Sequence, residues 1–195
     1  TILYYALCVV YFGIFYTIYA YLAGGKKGIK TFYKGVMPTA VTSLATQSSL
    51  ASLPANLEST ASMKVPKDVR EVVLPLGATM HMEGSAMSAI LKIVFLFGVF
   101  HKPFVGLDTY AIALLVAILS GVVMSGIPGG GLIGEMLIVN LYGFPPAAFP
   151  IIATIGFLVD PPATCINVTG DSVSAMLVTR LVEGKNWLKK KFTTA

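Results

Sequence analysis

The sequence predicts an all-α membrane protein, built as an inverted repeat of re-entrant helical hairpins and broken transmembrane helices. The first observation is composition: 55% of the 195 residues are hydrophobic and 12% are charged, whereas a soluble domain carries about a quarter charged residues. The second is that the charges cluster and leave long charge-free runs between them. The third is that two of the apolar segments contain Pro, Gly and Ser clusters. This composition excludes a soluble enzyme, a nucleic-acid-binding protein and a disordered tail.

Residues 1–25 carry no charge and form the first predicted transmembrane helix. At 1.5 Å per residue this run is long enough to cross a bilayer. It begins with Thr1 rather than Met, and it has neither the basic front nor the small-residue cleavage site of a signal peptide. We therefore expect the chain to be part of a longer protein whose N-terminal part is missing.

Residues 26–71 are predicted to form the first re-entrant hairpin, entered from the cytoplasm. Its charge-free centre, residues 35–57, holds two prolines, four serines and three threonines, which is a poor composition for a lipid-exposed helix. Basic clusters flank this centre, and the positive-inside rule favours placing both on the same side of the membrane. A hairpin that dips in and returns satisfies this rule, because irregular backbone is tolerated where protein buries it.

The rest of the chain repeats this plan in the opposite orientation. We predict a broken transmembrane helix at residues 72–101 and an extracellular re-entrant hairpin at residues 102–144. A transmembrane helix with substrate and cation sites follows at residues 145–184, and a basic cytoplasmic tail at residues 185–195. The Pro and Gly cluster SGIPGGG at 125–131 cannot sustain a helix. Twelve of the fourteen Lys and Arg residues fall on one side of this threading, which is then cytoplasmic.

Three acids, Glu83, Asp160 and Asp171, lie within predicted spans. Each costs roughly 2.5–3.5 kcal/mol at mid-membrane, and Lys92 is the only Lys or Arg in the spans apart from Arg180 near the end of the last one. Such acids favour a bound cation, namely sodium, a proton or a substrate ammonium group. Inverted repeats with broken helices are the common plan of secondary transporters. A channel and an intramembrane enzyme remain alternatives, which accumulation against a gradient and an activity assay would distinguish.

Four motifs in this order carry a resemblance to a known family: TQSSLASLP at 46–54, LPLGATMHMEG at 74–84, SGIPGGG at 125–131 and NVTGD at 167–171. Over nearly its whole length the chain resembles the C-terminal half of the dicarboxylate/amino acid:cation symporters, the glutamate transporter family. The resemblance implies a non-enzymatic carrier in the cell membrane, with a cytoplasmic C-terminus and a homotrimeric full-length form. It implies no cofactor, and Na+ as the coupling ion with H+ as the alternative.

The resemblance also assigns roles to individual residues. Those it implies at the substrate are Ser48, Ser49, Ser85, Ile127, Gly131, Asp160, Ala163, Thr164 and Asn167. Among them, Asp160 meets the amino group and the two serines meet the carboxylate. Asp171 matches a sodium ligand, with backbone carbonyls at Gly77, His81 and Asn167. A second sodium site is implied at the carbonyls of Thr79, Gly121, Val122 and Met124.

Two departures from the family concern its third cation site. The family motif Asn-Met-Asp-Gly reads His81-Met82-Glu83-Gly84 in this chain. That site is therefore altered, lost, or replaced by protonation of His81 or Glu83. A structural His–Glu pair is the other interpretation of these two residues.

Other departures concern the substrate side chain and the last span. Members that carry acidic substrates place an Arg where this chain has Ala163, or on the hairpin tip where it has Gln47. We therefore expect a neutral amino acid, with Ser85 contacting a polar side chain; an acidic amino acid or C4-dicarboxylate is the alternative. Pro161 and Pro162 are expected to bend or break the last helix. Glu135 is expected to have an interfacial or structural role.

Overall fold

The computed structural model describes residues 1–124 and 129–193, and these residues form helices without any strand. Within these two ranges the chain forms eight helices: α1 (Ile2–Thr46), α2 (Ser49–Ser62), α3 (Lys67–Met80), α4 (Glu83–Val99), α5 (Leu107–Met124), α6 (Gly130–Leu141), α7 (Ala148–Glu183) and α8 (Trp187–Thr193). Four segments are long and apolar enough to cross a membrane: Ile2–Thr46, Lys67–Val99, Leu107–Met124 and Ala148–Glu183. The prediction of an all-α, multi-pass membrane protein is confirmed.

A kink divides α1 into a first span and the beginning of a hairpin. Gly24 and Gly25 leave helical geometry, and Gly25 has φ of 64°, a conformation that favours glycine. The indole N–H of Trp187 donates a hydrogen bond of 2.9 Å to the carbonyl of Ala23. The C-terminal helix α8 therefore packs against the point where α1 changes direction.

The chain forms two helical hairpins, each where the sequence has a cluster of polar residues or glycines between two apolar segments. The second part of α1 packs against α2, where the Thr39 hydroxyl donates to the Ala55 carbonyl at 3.3 Å, and the chain turns at Gln47, whose φ is 51°. Helices α5 and α6 pair in the same way, with the Ser120 hydroxyl donating to the Gly134 carbonyl at 3.4 Å. The tip of this second hairpin falls at residues 125–128, outside the described residues. Re-entry into the membrane remains a prediction.

Helix α7 is the central element, because it packs against both hairpins and against the interrupted helix α3–α4. One apolar core joins α1, α2, α3 and α8 to the middle and end of α7. A second core joins α4, α5 and α6 to the beginning of α7. The break between α3 and α4, at His81 and Met82, lies beside the middle of α7.

Of the expectation that Pro161 and Pro162 bend or break the last helix, the break is wrong, since α7 is continuous from Ala148 to Glu183. Proline at 162 has no N–H to donate to the carbonyl of Leu158 four residues earlier. That carbonyl instead accepts a hydrogen bond of 2.9 Å from the Tyr5 hydroxyl. A neighbouring helix thus replaces the donor that proline removes, as membrane helices permit.

Removal of that hydroxyl tests this account of the continuous helix. Tyr5→Phe is expected to lower the free energy of unfolding by about 1 kcal/mol, because one interhelical hydrogen bond is lost. The measurement is thermal unfolding of the full-length protein in detergent. The matched control is Tyr21→Phe on the same helix, where the side chain is 53% exposed. Equal effects of the two substitutions would contradict the proposed role of Tyr5.

Candidate functional site

Residues from both hairpins, from the α3–α4 break and from α7 meet around one small cavity, which we call the tip cavity. It is lined by Gln47, Ser49, Met82, Ser85, Met124, Gly131, Asp160, Thr164 and Asn167. Six of these are predicted substrate residues: Ser49, Ser85, Gly131, Asp160, Thr164 and Asn167. The carboxyl of Asp160 is the one charged group among these lining residues, so the cavity is suited to a molecule that carries a cationic group.

The other predicted substrate residues are placed differently. The Ser48 hydroxyl accepts a hydrogen bond of 3.2 Å from the Ala51 N–H and so caps the N-terminus of α2. Ala163 is 2% exposed and lines a neighbouring cavity. Ile127 lies outside the described residues.

Asn167 holds the interrupted helix against α7. Its side-chain oxygen accepts from the backbone N–H of Gly84 at 2.8 Å, and its amide nitrogen donates to the Ser85 hydroxyl at 3.0 Å. The same nitrogen lies 3.3 Å from the sulfur of Met82. Because these bonds satisfy backbone and side-chain groups freed at the break, Asn167 fixes the geometry of the tip cavity as well as lining it.

His81 lies between two of the acids that the sequence places at membrane depth. Its Nε2 is 2.7 Å from Glu83 Oε2, and its Nδ1 is 3.0 Å from Asp171 Oδ1. A neutral imidazole donates from one nitrogen only, so both contacts are hydrogen bonds when the ring is protonated. The other Glu83 oxygen lies 2.6 Å from the Tyr16 hydroxyl. The imidazole thus bridges two carboxylates at the predicted cation site.

Asp171 retains a free coordinating atom. The residue is 1% exposed, and its Oδ2 is buried with no hydrogen-bond partner within the described part of the chain. It shares an open cavity with Gly77 and His81. Across residues 1–124 and 129–193, no three His, Cys, Asp or Glu side chains are grouped to hold a metal ion. A cation at Asp171 would therefore need backbone carbonyls, which are the ligands that the sequence predicts beside it.

The predicted second sodium site lies at the end of α5. Gly121 approaches Met82 so closely that a β-carbon at position 121 would stand 3.3 Å from the Met82 β-carbon. The last turn of α5, with Val122 and Met124, therefore packs beside the helix break. Thr79 lies in the last turn of α3, where its hydroxyl donates to the Leu76 carbonyl at 3.0 Å.

A second cavity adjoins the tip cavity and contains a pair that sequence reasoning missed. We call it the side cavity; it shares Ser85, Met124, Gly131 and Asp160 with the tip cavity and adds, among others, Ser88, Lys92, Glu135, Gly156 and Ala163. In it, Lys92 Nζ lies 2.6 Å from Glu135 Oε1. Glu135 is 1% exposed, so its side chain is buried between helices. The sequence shows only that one apolar helix carries a Lys and another a Glu. The number of residues between the two does not indicate that they pair.

Comparison with known proteins gives a family match over most of the chain. Residues 1–181 match the sodium:dicarboxylate symporter family. The chain is 31% identical over 153 residues to the putative sodium-dependent excitatory amino acid transporter glt-4 of Caenorhabditis elegans, a match that covers 78% of the chain and 30% of that protein. Over 174 residues it is 29% identical to human excitatory amino acid transporter 2, covering 89% and 30%.

A relative of a different named specificity matches to the same degree. Human neutral amino acid transporter A is 29% identical over 162 residues, covering 83% of the chain and 30% of that protein. The chain thus spans about 30% of the length of the relatives it matches. The match to the family covers most of the chain, and this protein belongs to the sodium:dicarboxylate symporter family, whose members are transporters rather than enzymes.

Proposed function

We propose that the full-length protein is a sodium-coupled symporter that takes up a neutral amino acid by alternating access. The observation that carries this proposal is the tip cavity, to which both hairpins, the helix break and α7 each contribute polar groups. Relatives named as excitatory and as neutral amino acid transporters match equally well. The choice between these substrates therefore rests on the residues of this chain.

The tip cavity offers complementary groups to the two ends of an amino acid. Asp160 supplies a carboxylate for the ammonium group. The N-terminus of α2, which begins at Ser49, and the N-terminus of α6, which begins at Gly130, supply positive helix-dipole ends and backbone N–H groups for the carboxylate. The hydroxyls of Ser49 and Thr164 add donors at the same cavity.

Ala163 is the observation that favours a neutral side chain. Its methyl group cannot pair with a second carboxylate, whereas an Arg at this position would bind one bidentately. Gln47 on the first hairpin lines the tip cavity without adding a positive charge. An acidic amino acid or a C4-dicarboxylate would bring a negative charge towards Asp160, and the described residues that line the tip cavity include no Lys or Arg to balance it.

Sodium is the proposed coupling ion, and the unpartnered oxygen of Asp171 supports it. A hard cation would complete its shell with backbone carbonyls at the end of α3, at Gly77 and His81. The Gly77 carbonyl already accepts a hydrogen bond of 2.8 Å from the His81 N–H, and its second lone pair is the one that a cation would use. When its ring is protonated, His81 places a positive charge between Glu83 and Asp171. This favours binding of fewer sodium ions than the three cation sites that the resemblance implies. Proton coupling is the alternative, because His81 could bind and release a proton.

Alternating access follows if cations stabilise the closed form of the second hairpin more than its open form. Helices α5 and α6 are then the outer gate, and the first hairpin re-enters from the cytoplasm. We place the full-length protein in the cell membrane, with the C-terminus cytoplasmic and three copies in the assembly. The basic residues after Arg180 support this orientation.

Uptake by the full-length protein in liposomes tests the proposal directly. Alanine, serine, glutamine, glutamate and succinate are compared, with an inward sodium gradient, with a proton gradient at two pH values, and with neither. We expect accumulation of neutral amino acids that requires sodium. Accumulation of glutamate or succinate alone would reverse the substrate class, and uptake that requires protons but no sodium would reverse the coupling ion.

Ala163→Arg is the substitution that tests the substrate class. It is expected to increase the affinity for glutamate at least about tenfold, because a buried charge-assisted pair contributes roughly 1.5–3 kcal/mol. Ala163→Met is the matched control, since it adds length without charge. Competition by unlabelled glutamate is measured for both variants and for the parent. Equal glutamate affinity in all three would contradict the role assigned to position 163.

A further inference from the structure

The base of the first hairpin, at the end away from its turn, contains a cavity of about 470 Å³, which we call the base cavity. It is lined by Lys27, Lys30, Thr31, Lys34, Gly35 and Ser62. Three of these side chains are cationic, and the described residues that line the cavity include no Asp or Glu. The base cavity is therefore suited to an anion with several acceptor oxygens, such as a phosphate group.

Close packing between α1 and the end of α2 shapes the base cavity. A β-carbon at Gly35 would stand 2.5 Å from Met63 Cγ and 3.3 Å from Ser62 Oγ, and Met63 is fully buried. The Ser62 hydroxyl already donates a hydrogen bond of 2.7 Å to the Ser59 carbonyl. The donors available to a bound anion are therefore those of α1.

Lys30 and Lys34 form no ion pair with any residue in the part of the chain that the structure describes. By contrast, Lys191 Nζ lies 2.9 Å from Glu183 Oε1. Lys30 and Lys34 are one helical turn apart on α1, and like charges at this spacing destabilise a helix. An anion bound between them removes that repulsion. The positive-inside rule accounts for lysines on this side of the membrane, but not for their gathering around one cavity.

The position of the two lysines along the hairpin places them near the membrane surface. Lys34 and Lys30 precede the turn at Gln47 by about 20 Å and about 25 Å of helix. A turn near the bilayer midplane, where transporters of this plan bind their substrates, lies about 15 Å from the edge of the hydrocarbon core. Lipid headgroups occupy roughly the next 5–8 Å. Given the proposed re-entry of this hairpin, both lysines therefore lie in or just outside the headgroup layer.

An apolar stripe continues from the two lysines along the same helix. Met37 is 54% exposed and Val41 is 61% exposed. With Lys30 and Lys34 they follow the spacing of one helix face, which leads from the base cavity towards the turn. A free phosphate ion would contact only the lysines, whereas a lipid would contact the lysines and the apolar stripe together. The stripe therefore favours a lipid as the source of the phosphate group.

We propose that the base cavity binds the phosphate headgroup of an anionic phospholipid from the cytoplasmic leaflet. Lys30 and Lys34 donate charge-assisted hydrogen bonds to the phosphate oxygens, and the acyl chains lie along Met37 and Val41. Basic pockets between transmembrane helices on the cytoplasmic side bind such headgroups in general. This inference goes beyond the proposed function, because it requires the re-entry of the first hairpin but neither the substrate nor the coupling ion.

Thermal unfolding of the full-length protein in an uncharged detergent tests this site. Phosphatidylglycerol is titrated as the anionic probe, phosphatidylcholine as a lipid without net charge, and inorganic phosphate as a free anion. Native mass spectrometry counts the phosphatidylglycerol molecules that remain bound. The parent is compared with Lys30→Gln/Lys34→Gln and with the control Lys67→Gln/Lys185→Gln. The control removes the same charge from exposed lysines that do not line the base cavity.

In the parent, phosphatidylglycerol is expected to raise the unfolding temperature, while phosphatidylcholine and inorganic phosphate leave it unchanged. Lys30→Gln/Lys34→Gln is expected to need at least about tenfold more phosphatidylglycerol for half of the full shift, because each lysine near an anionic headgroup contributes to binding. This variant should also retain fewer phosphatidylglycerol molecules. The control should respond as the parent does. Without lipid, both variants should unfold near the temperature of the parent, since the replaced side chains are exposed.

Four results would overturn the inference. Equal stabilisation by inorganic phosphate would assign the cavity to a soluble anion, and equal stabilisation by phosphatidylcholine would show that the headgroup charge is not recognised. An equal loss in the control would identify a general effect of surface charge. A response to phosphatidylglycerol that is absent in the parent, or unchanged in Lys30→Gln/Lys34→Gln, would exclude these lysines as the binding site. None of these measurements involves amino acid uptake, so the proposed function is tested separately.

Discussion

Asp160→Asn is expected to abolish amino acid binding while the protein still folds. The carboxylate is the charged group among the lining residues of the tip cavity, and asparagine keeps its size without its charge. An ammonium group that loses a buried, hydrogen-bonded partner loses about 2–5 kcal/mol. The apparent affinity should therefore fall at least about 30-fold. The measurements are uptake of labelled substrate and thermal unfolding of the full-length protein.

Asp108→Asn is the matched control for this substitution. Asp108 is an exposed acid in the first turn of α5, away from both cavities, and its replacement should leave affinity unchanged. A loss of unfolding temperature as large as the loss of affinity would identify Asp160 as structural. Unchanged affinity in Asp160→Asn would refute the assignment of the ammonium group to this carboxylate.

Asp171→Asn is expected to remove the stabilisation that sodium gives to the protein. The parent should unfold at a higher temperature as sodium is added, because a ligand that binds only the folded state stabilises it by mass action. Asparagine retains an oxygen near His81 but lacks the charge of the unpartnered Oδ2. The sodium concentration for half-maximal stabilisation should rise at least about tenfold. Thermal unfolding across a sodium titration, with choline as the replacement cation, measures this.

Asp68→Asn serves as the control for the sodium titration, since Asp68 is an exposed acid in the first turn of α3. Its sodium response should match that of the parent. If Asp171→Asn also responds as the parent does, then Asp171 does not hold the coupling ion. Because His81 bridges Asp171 and Glu83, the titration is run at one fixed pH for all three proteins.

Much of the architecture could be predicted from composition and charge placement alone. Charge-free runs mark the helices because a bilayer excludes unpaired charges over a length of about 20 residues. The Ser-rich turn at Gln47 follows from residues that favour turns and caps. The break before Glu83 has no such signal, since it falls at His81 and Met82 and no side chain caps the start of α4. The helix ends themselves depend on local hydrogen bonding, so α3 begins at Lys67 and α7 ends at Glu183, close to the predicted limits at 72 and 184.

The candidate site could be predicted only where a short motif holds several of its residues together. Thr164, Asn167 and Asp171 lie on consecutive turns of α7, so their shared face follows from helical periodicity. Contacts between residues on different helices cannot be predicted from helical periodicity in this way. The Tyr5 hydroxyl donates to the Leu158 carbonyl, which Pro162 leaves without its helical donor, and Tyr5 and Leu158 are 153 positions apart in the chain. Nothing in the sequence indicates this contact, so the expectation of a broken helix could not take it into account.

By itself, then, the sequence determined the membrane class, the helical segments and the acids that must be neutralised, because these depend on how each segment interacts with lipid and with its own backbone. Only the tertiary structure decided which basic groups lie beside three of the acids: His81 bridges Glu83 and Asp171, while Lys92 pairs with Glu135. The physical reason is that such pairs depend on which helix faces meet. Packing of whole helices against α7 sets those faces, and the spacing of residues along the chain does not.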